Sequence, residues 1–508
     1  MTNTIKKGEA DKVESMAFYG FIVLYSACLI YLCYELNVWE DETYTLHTTS
    51  LSLPGVINKS YHFEGQPPVY FLLLRLWRCF NSGIFFARLF SLISIGTAAY
   101  FFYRIVCFIS GKKRSRWLVA IFLLNPFTVW AGLEIRVYAF LILLSSIAIW
   151  FFIRFYTDNK KKDLYIFLIV GLIGVYTQYF FTLEIAALAF SLLVFKGWKA
   201  FFNLCLYLLP VVLLFLPNLI FLPDQLHMHQ YHLTEYSFVR RFSAVLYSPQ
   251  NFLLALQLVP FDKWIRLAIK LIFIVGFIYI YIKTFKKNIA NRNLNLELFN
   301  VLLLGSGILV LLYGIVLVIS DIVYLPRYMS IGLPLFILLF TLFKQYSFTA
   351  VKFIYGVICL YFILLLIVYY INPVKDYDYK RIARHINKIE RKGEPILFYN
   401  SIMSLPFTYY YTGKNRILPL PDTITFDSTY QKNIKDTVQL KQITDKISTA
   451  SNSYLLITND LAPIELNMNM NREMINDYIK IHYATTLDTL YYGRSKDRYL
   501  RIRRLEKK

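Results

Sequence analysis

At 508 residues, 57% hydrophobic and 18% aromatic, with a mean hydropathy of +0.47, the chain lies outside the range of soluble globular proteins and reads as a polytopic membrane protein. The formal net charge of +22 argues little for nucleic acid. Its basic residues fall in short clusters between apolar runs, the pattern of cytoplasmic loops that also meet anionic headgroups. The six cysteines, Cys28, Cys33, Cys79, Cys107, Cys205 and Cys359, lie in or beside apolar runs without CxxC spacing, which argues against a disulfide framework or a zinc site.

The polar segment Met1–Ser15 lacks a small-residue cleavage site, so the apolar run Met16–Leu36 is expected to be a retained signal anchor. Val38-Trp39-Glu40-Asp41-Glu42-Thr43-Tyr44 follows. A carboxylate at the bilayer centre costs roughly 2.5–3.5 kcal/mol, so three in a row belong at the membrane–water boundary. They read either as a polar helix stop or as a base acting on a substrate that arrives from the lipid. An ionised carboxylate can take a proton from an attacking hydroxyl, worth roughly 10²–10⁴ in rate, and Asp41 and Glu42 are the first candidates. In Gly65-Gln66-Pro67-Pro68, paired prolines favour a helix start that presents its N–H groups to an anion; a plain loop-to-helix junction is the alternative.

Lysine- and arginine-bearing loops at Gly111–Arg116, Thr157–Asp163, Lys196–Lys199, Lys283–Arg292 and Lys344–Lys352 set the orientation. With the N-terminus inside, two spans must separate each neighbouring pair. The apolar segments 117–133 and 137–156, 164–178 and 179–195, 200–222 and 262–282, 298–319 and 328–343 supply them, and 350–372 follows. Before the first loop, 16–36 and 87–109 cross. Residues 67–80 are too short for a span and carry Arg75 and Arg78, so they are expected to lie in the interface or re-enter on the outer side. The result is an α-helical membrane protein of about eleven spans, N-terminus in and C-terminus out.

The outward segments collect the unusual residues. Arg136 with Tyr138, Arg327 with Tyr328, and Arg88 at a span opening place guanidiniums where they can grip phosphate and stabilise charge on a leaving group; snorkelling to headgroups competes with that reading. Glu134 can pair with Arg136. Gln178 and Tyr179 sit on a tight turn, either as a plain polar turn or as hydrogen-bonding partners of a sugar. His227, His229 and His232 alternate without a matching carboxylate or cysteine array, so no metal or cofactor is predicted. From Asn372 the composition turns polar. Glu394–Tyr399 and Ser453–Thr458 read as strands and Asp376–Arg391 as a helix, predicting a small outward α/β domain over 373–508 beside a transmembrane domain over 1–372, whose outer loop with interfacial helices covers 36–86.

In order along the chain stand an acidic pair after the first span, x-P-P-x-Y, R-L-x-S, E-x-R-x-Y, T-x-Y-F and P-R-Y. This series, over about residues 16–345, resembles the GT-C superfamily of integral-membrane glycosyltransferases, in particular the branch of protein O-mannosyltransferases and lipid A aminoarabinose transferases. The resemblance implies Asp41 as catalytic base with Glu42 in support. It also implies Arg136, Tyr138 and Arg327 on the polyprenyl phosphate of a donor, joined on the residue reading by Tyr328 and Arg88, with Gln66, Pro67, Gln178 and Tyr179 toward substrate. The family usually carries His or Lys immediately before Pro-Pro; Gln66 stands there, bringing no charge to the phosphate. The expected activity is inverting transfer of a sugar from a polyprenyl-phosphate donor to a lipid, glycan or protein hydroxyl at the outer face of a cell inner membrane. Its rivals are an oligosaccharide ligase or polymerase using a diphospholipid donor, and a non-enzymatic flippase or transporter. Transporters place ionisable residues at mid-bilayer in matching broken helices, and no such pairing is seen in the sequence.

Overall fold

The structure, a computed structural model, describes residues 2–225, 248–255, 258, 262–290, 294–320, 326–345, 347–426, 436–448, 452–459, 466–494 and 499–508. His227, His229 and His232 lie outside the described residues. The chain forms two compact units: Met1–Cys33 with Thr49–Tyr369, and Tyr34–Thr48 with Tyr370–Lys508.

The helices in chain order begin α1 (Thr2–Glu35), α2 (Glu40–Thr48), α3 (Leu53–His62), α4 (Val69–Arg78), α5 (Ile84–Ser110), α6 (Lys112–Leu124), α7 (Pro126–Gly132), α8 (Tyr138–Asp158), α9 (Lys161–Val175), α10 (Phe181–Lys196) and α11 (Trp198–Phe215). Apart from α2 and the last two residues of α1, these belong to the first unit, which continues through Ser248–Leu254, Lys263–Ala290, Leu294–Ser320, a 3₁₀ turn at Pro326–Gly332, Leu333–Leu338, a second 3₁₀ turn at Leu339–Gln345, and all but the last residue of Phe348–Tyr370.

Among the described residues six helices are long and apolar enough to cross a membrane: Lys12–Glu35, Ile84–Ser110, Tyr138–Asp158, Trp198–Ile220, Glu297–Val316 and Phe348–Tyr370. The protein is a multi-pass membrane protein. Burial ranks these helices: 72% of the apolar window of Tyr138–Asp158 is covered against 11% of that of Lys12–Glu35, so α8 is central and α1 peripheral. The other five expected spans coincide with α6 plus α7, α9, α10, Lys263–Ala290 and the 3₁₀-rich run 326–345.

The segment 117–133 is not one continuous helix. Pro126 has no N–H to continue α6, and the side chain of Asn125 accepts the Phe127 N–H at 3.0 Å, capping a new helix. The residues expected to lie in the interface form the ten-residue α4, which buries Tyr70, Phe71 and Leu74 and carries Arg75 and Arg78 in its last turn, where cations favour the helix dipole.

In the second unit a five-stranded sheet runs in the order β2-β1-β3-β5-β4, with β1 Ile396–Tyr399, β2 Ile417–Leu420, β3 Ser453–Thr458, β4 Tyr483–Tyr492 and β5 Tyr499–Lys507. β1 is parallel to β2 and β3, and β5 is antiparallel to β3 and β4. Both faces are covered, which is why β1 reads as a continuous apolar run. Ile396 and Phe398 pack with Ile382 and Ile386 of the helix Tyr379–Ile389, while Leu397 and Tyr399 pack on the other face with Leu440 and Ile479. The expected strands and helix are therefore present; β2, β4 and β5 are additional.

Candidate active site

Helix α2 opens with Glu40, Asp41 and Glu42, and carboxylates in a first helical turn are favoured by the dipole. Their environments differ. Glu42 is fully buried, and Lys375 Nζ donates to its Oε1 at 2.7 Å. Glu40, half-buried, accepts the Tyr379 hydroxyl at 2.6 Å. Burial and the neighbouring Asp376 carboxylate push the Glu40 pKa up to about 7, although the Tyr379 hydrogen bond pulls the other way. Asp41, between them, is half-buried. Of the two carboxylates predicted for catalysis, Glu42 is sealed from solvent and ion-paired, whereas Asp41 keeps exposed surface.

The remaining predicted residues belong to the first unit. Arg136 is buried and its Nη1 donates to Glu64 Oε2 at 2.8 Å. The carboxylate on Arg136 thus comes from the segment just before Pro-Pro, where Gly65 turns the chain at φ +64°, a conformation that suits glycine. Glu134 offers its carbonyl to the Ser91 hydroxyl at 2.6 Å, which joins the R-L-x-S and E-x-R-x-Y segments.

Arg327 and Tyr138 do come together, the guanidinium carbon 5.9 Å from the ring centre. Tyr328 stacks on Phe180, beside Tyr179, with ring centres 5.7 Å apart. Arg88 is fully buried, and its Nη1 donates to the Cys33 carbonyl at 2.9 Å, supplying a donor and a positive charge to the C-terminal end of α1.

Pro67 and Pro68 are buried, and α4 begins at Val69 as expected, but the Val69 N–H is already donated to the Tyr176 carbonyl at 3.1 Å. That N–H is not presented to an anion. The side-chain oxygens of Gln66 and Gln178 are buried without a hydrogen-bond partner among the described residues. A buried acceptor in that condition suits a donor from a ligand or water. Tyr179 packs edge-on against Phe215 with ring centres 5.8 Å apart.

Four groups carry polar contacts that were not singled out from the sequence: Glu64, Lys375, Tyr379 and Glu184. Glu184 is fully buried in α10 and accepts the Ser145 hydroxyl at 2.6 Å, with no partner for Oε2 among the described residues. A carboxylate inside an apolar run was the available signal for it. Lys375 and Tyr379 lie in a polar stretch, where nothing local marks them.

Residues 65–221 match the family model described as dolichyl-phosphate-mannose-protein mannosyltransferase. Comparison with curated protein sequences gives no match. Among solved structures, ArnT from Cupriavidus metallidurans in the apo state is similar over 96% of this chain and 98% of its own, at 12% identity and a TM-score of 0.57. The same protein bound to undecaprenyl phosphate gives 0.53 over the same shares, again at 12% identity.

Proposed function

We propose that the protein transfers a sugar from a polyprenyl-phosphate donor to an acceptor hydroxyl at the outer face of the cell inner membrane, inverting the anomeric carbon. The observation that carries this reading is the shared fold, over 96% of the chain, with an ArnT structure bound to undecaprenyl phosphate. Compartment logic supports it: nucleotide sugars are cytoplasmic, so a site on the far face needs a donor that has crossed on a lipid.

In this reading the acceptor hydroxyl gives its proton to the Asp41 carboxylate while its oxygen bonds to the anomeric carbon. The bond from that carbon to the phosphate oxygen breaks, and its electron pair stays on the phosphate. Arg327, half-buried against Tyr138, and Arg136 meet the developing charge. Glu64, paired with Arg136 at 2.8 Å, offsets part of the charge that Arg136 brings. Gln66 and Gln178 offer buried amide oxygens to sugar hydroxyls. Asp41→Asn, similar in size but unable to take the proton, is expected to lower transfer by roughly 10²–10⁴-fold with expression and folding retained. Full activity in that variant removes the base assignment.

A further inference from the structure

We infer that the C-terminal residues 370–508 serve catalysis by holding α2 in place, with Lys375 and Tyr379 as positioning residues for Asp41. The inference rests on the assignment of Asp41 as base and adds a role for residues outside the membrane-spanning helices.

All the contacts lie within the second unit. Asn37 Nδ2 donates to the carbonyls of Lys375 at 3.0 Å and Tyr377 at 2.8 Å, and the Lys375 N–H returns a bond to Asn37 Oδ1 at 2.7 Å. The Val38 N–H donates to the Tyr410 hydroxyl at 2.7 Å. Lys380 Nζ donates to the Tyr34 and Glu35 carbonyls, so the end of α1 is met by a cation as well. At the other end of α2, His47 stacks on Phe426 with ring centres 3.5 Å apart.

The side-chain anchors fix more than attachment. Successive residues of an α-helix are about 100° apart around its axis, so Glu40 and Glu42 project roughly 200° apart. With Glu40 tied to Tyr379 and Glu42 to Lys375, the first turn cannot roll, and Asp41 between them keeps one direction. Lys375 is itself set by a constrained turn. Asp376 adopts φ +51°, uncommon for a residue with a side chain, and its carbonyl accepts the Arg494 N–H at 3.0 Å.

The test uses the full-length protein in lipid nanodiscs with a polyprenyl-phosphate sugar as donor. Its variants are Lys375→Met, Lys375→Arg and the milder Tyr379→Phe, with amide hydrogen exchange followed alongside kcat and KM. Lys375→Met is expected to lower kcat about tenfold or more, to change donor KM less than about threefold, and to speed exchange in residues 36–48 while β1 and β3 stay protected. Lys375→Arg should restore most of the lost kcat, and Tyr379→Phe should show a smaller form of both effects.

Unchanged exchange in residues 36–48, or faster exchange with wild-type kcat, overturns the inference. If Lys375→Met does not fold, Lys375→Arg and Tyr379→Phe decide by the same readouts. If the wild-type protein fails to use the donor, the proposed function fails by itself, and unchanged exchange in the variants still overturns the positioning role.

Discussion

Arg136 and Glu64 form a buried pair at 2.8 Å, and removing one partner of such a pair strands the other charge at a cost of about 3–5 kcal/mol. Arg136→Met should therefore lower the thermal midpoint of the purified protein strongly, and adding Glu64→Gln should recover most of the loss. Equal midpoints for the single and double variants would contradict this account of the pair. Arg136 was legible as an arginine at a span boundary; Glu64 was not, because its partner lies 72 positions away and nothing in either segment encodes the pairing. Glu40 gives a pH signature. Its pKa rises from 4.5 to about 7, chiefly through burial, so the folded chain holds this proton more tightly than the unfolded one. The contribution is most favourable below about pH 4.5, falls as pH rises toward 7, and is a full penalty above it. Glu40→Gln should raise the thermal midpoint at about pH 8 and leave it nearly unchanged at about pH 4. A shift of the same size at both would exclude titration of Glu40 as the cause.

Between α9 and α10 the chain turns so tightly that the ring of Phe181, itself fully buried, leaves no room for a Cβ at Gly174. Gly174→Ala must push that ring into packed surroundings, and about 1–3 kcal/mol of stability should be lost. A thermal midpoint equal to wild type would contradict the packing described here. At this scale apolar periodicity located most of the helices, and two kinds of detail escaped it. The break at Asn125-Pro126 interrupts an otherwise continuous apolar run and is announced only by a cap and a proline, local signals outweighed by the hydropathy around them. The strand β2 contains Pro419, which demotes a strand reading; it lies at the sheet edge, where proline is tolerated. The strands β4 and β5 are masked by polar and basic residues such as Asp488 and Arg501, which pair with each other at 2.6 Å across the hairpin.

For the whole molecule, composition and the spacing of basic loops were enough to establish a multi-pass helical protein with a small α/β region near its C-terminus. They did not indicate that residues 34–48 fold with residues 370–508, because that association depends on hydrogen bonds such as Asn37 to Tyr377 across the entire membrane segment of the sequence. The order of motifs carried further than any one motif. Each interfacial arginine by itself is ambiguous between headgroup and substrate, whereas the series from Asp41 to Arg327 carries the resemblance from which the proposed chemistry is drawn. That chemistry is tested most directly by supplying the purified protein, in lipid, with the same sugar on a polyprenyl monophosphate and on a polyprenyl diphosphate and measuring which donor is consumed. The account predicts consumption of the monophosphate donor with release of polyprenyl phosphate, and loss of that consumption in Asp41→Asn. Consumption of the diphosphate donor alone, or of neither, would contradict it.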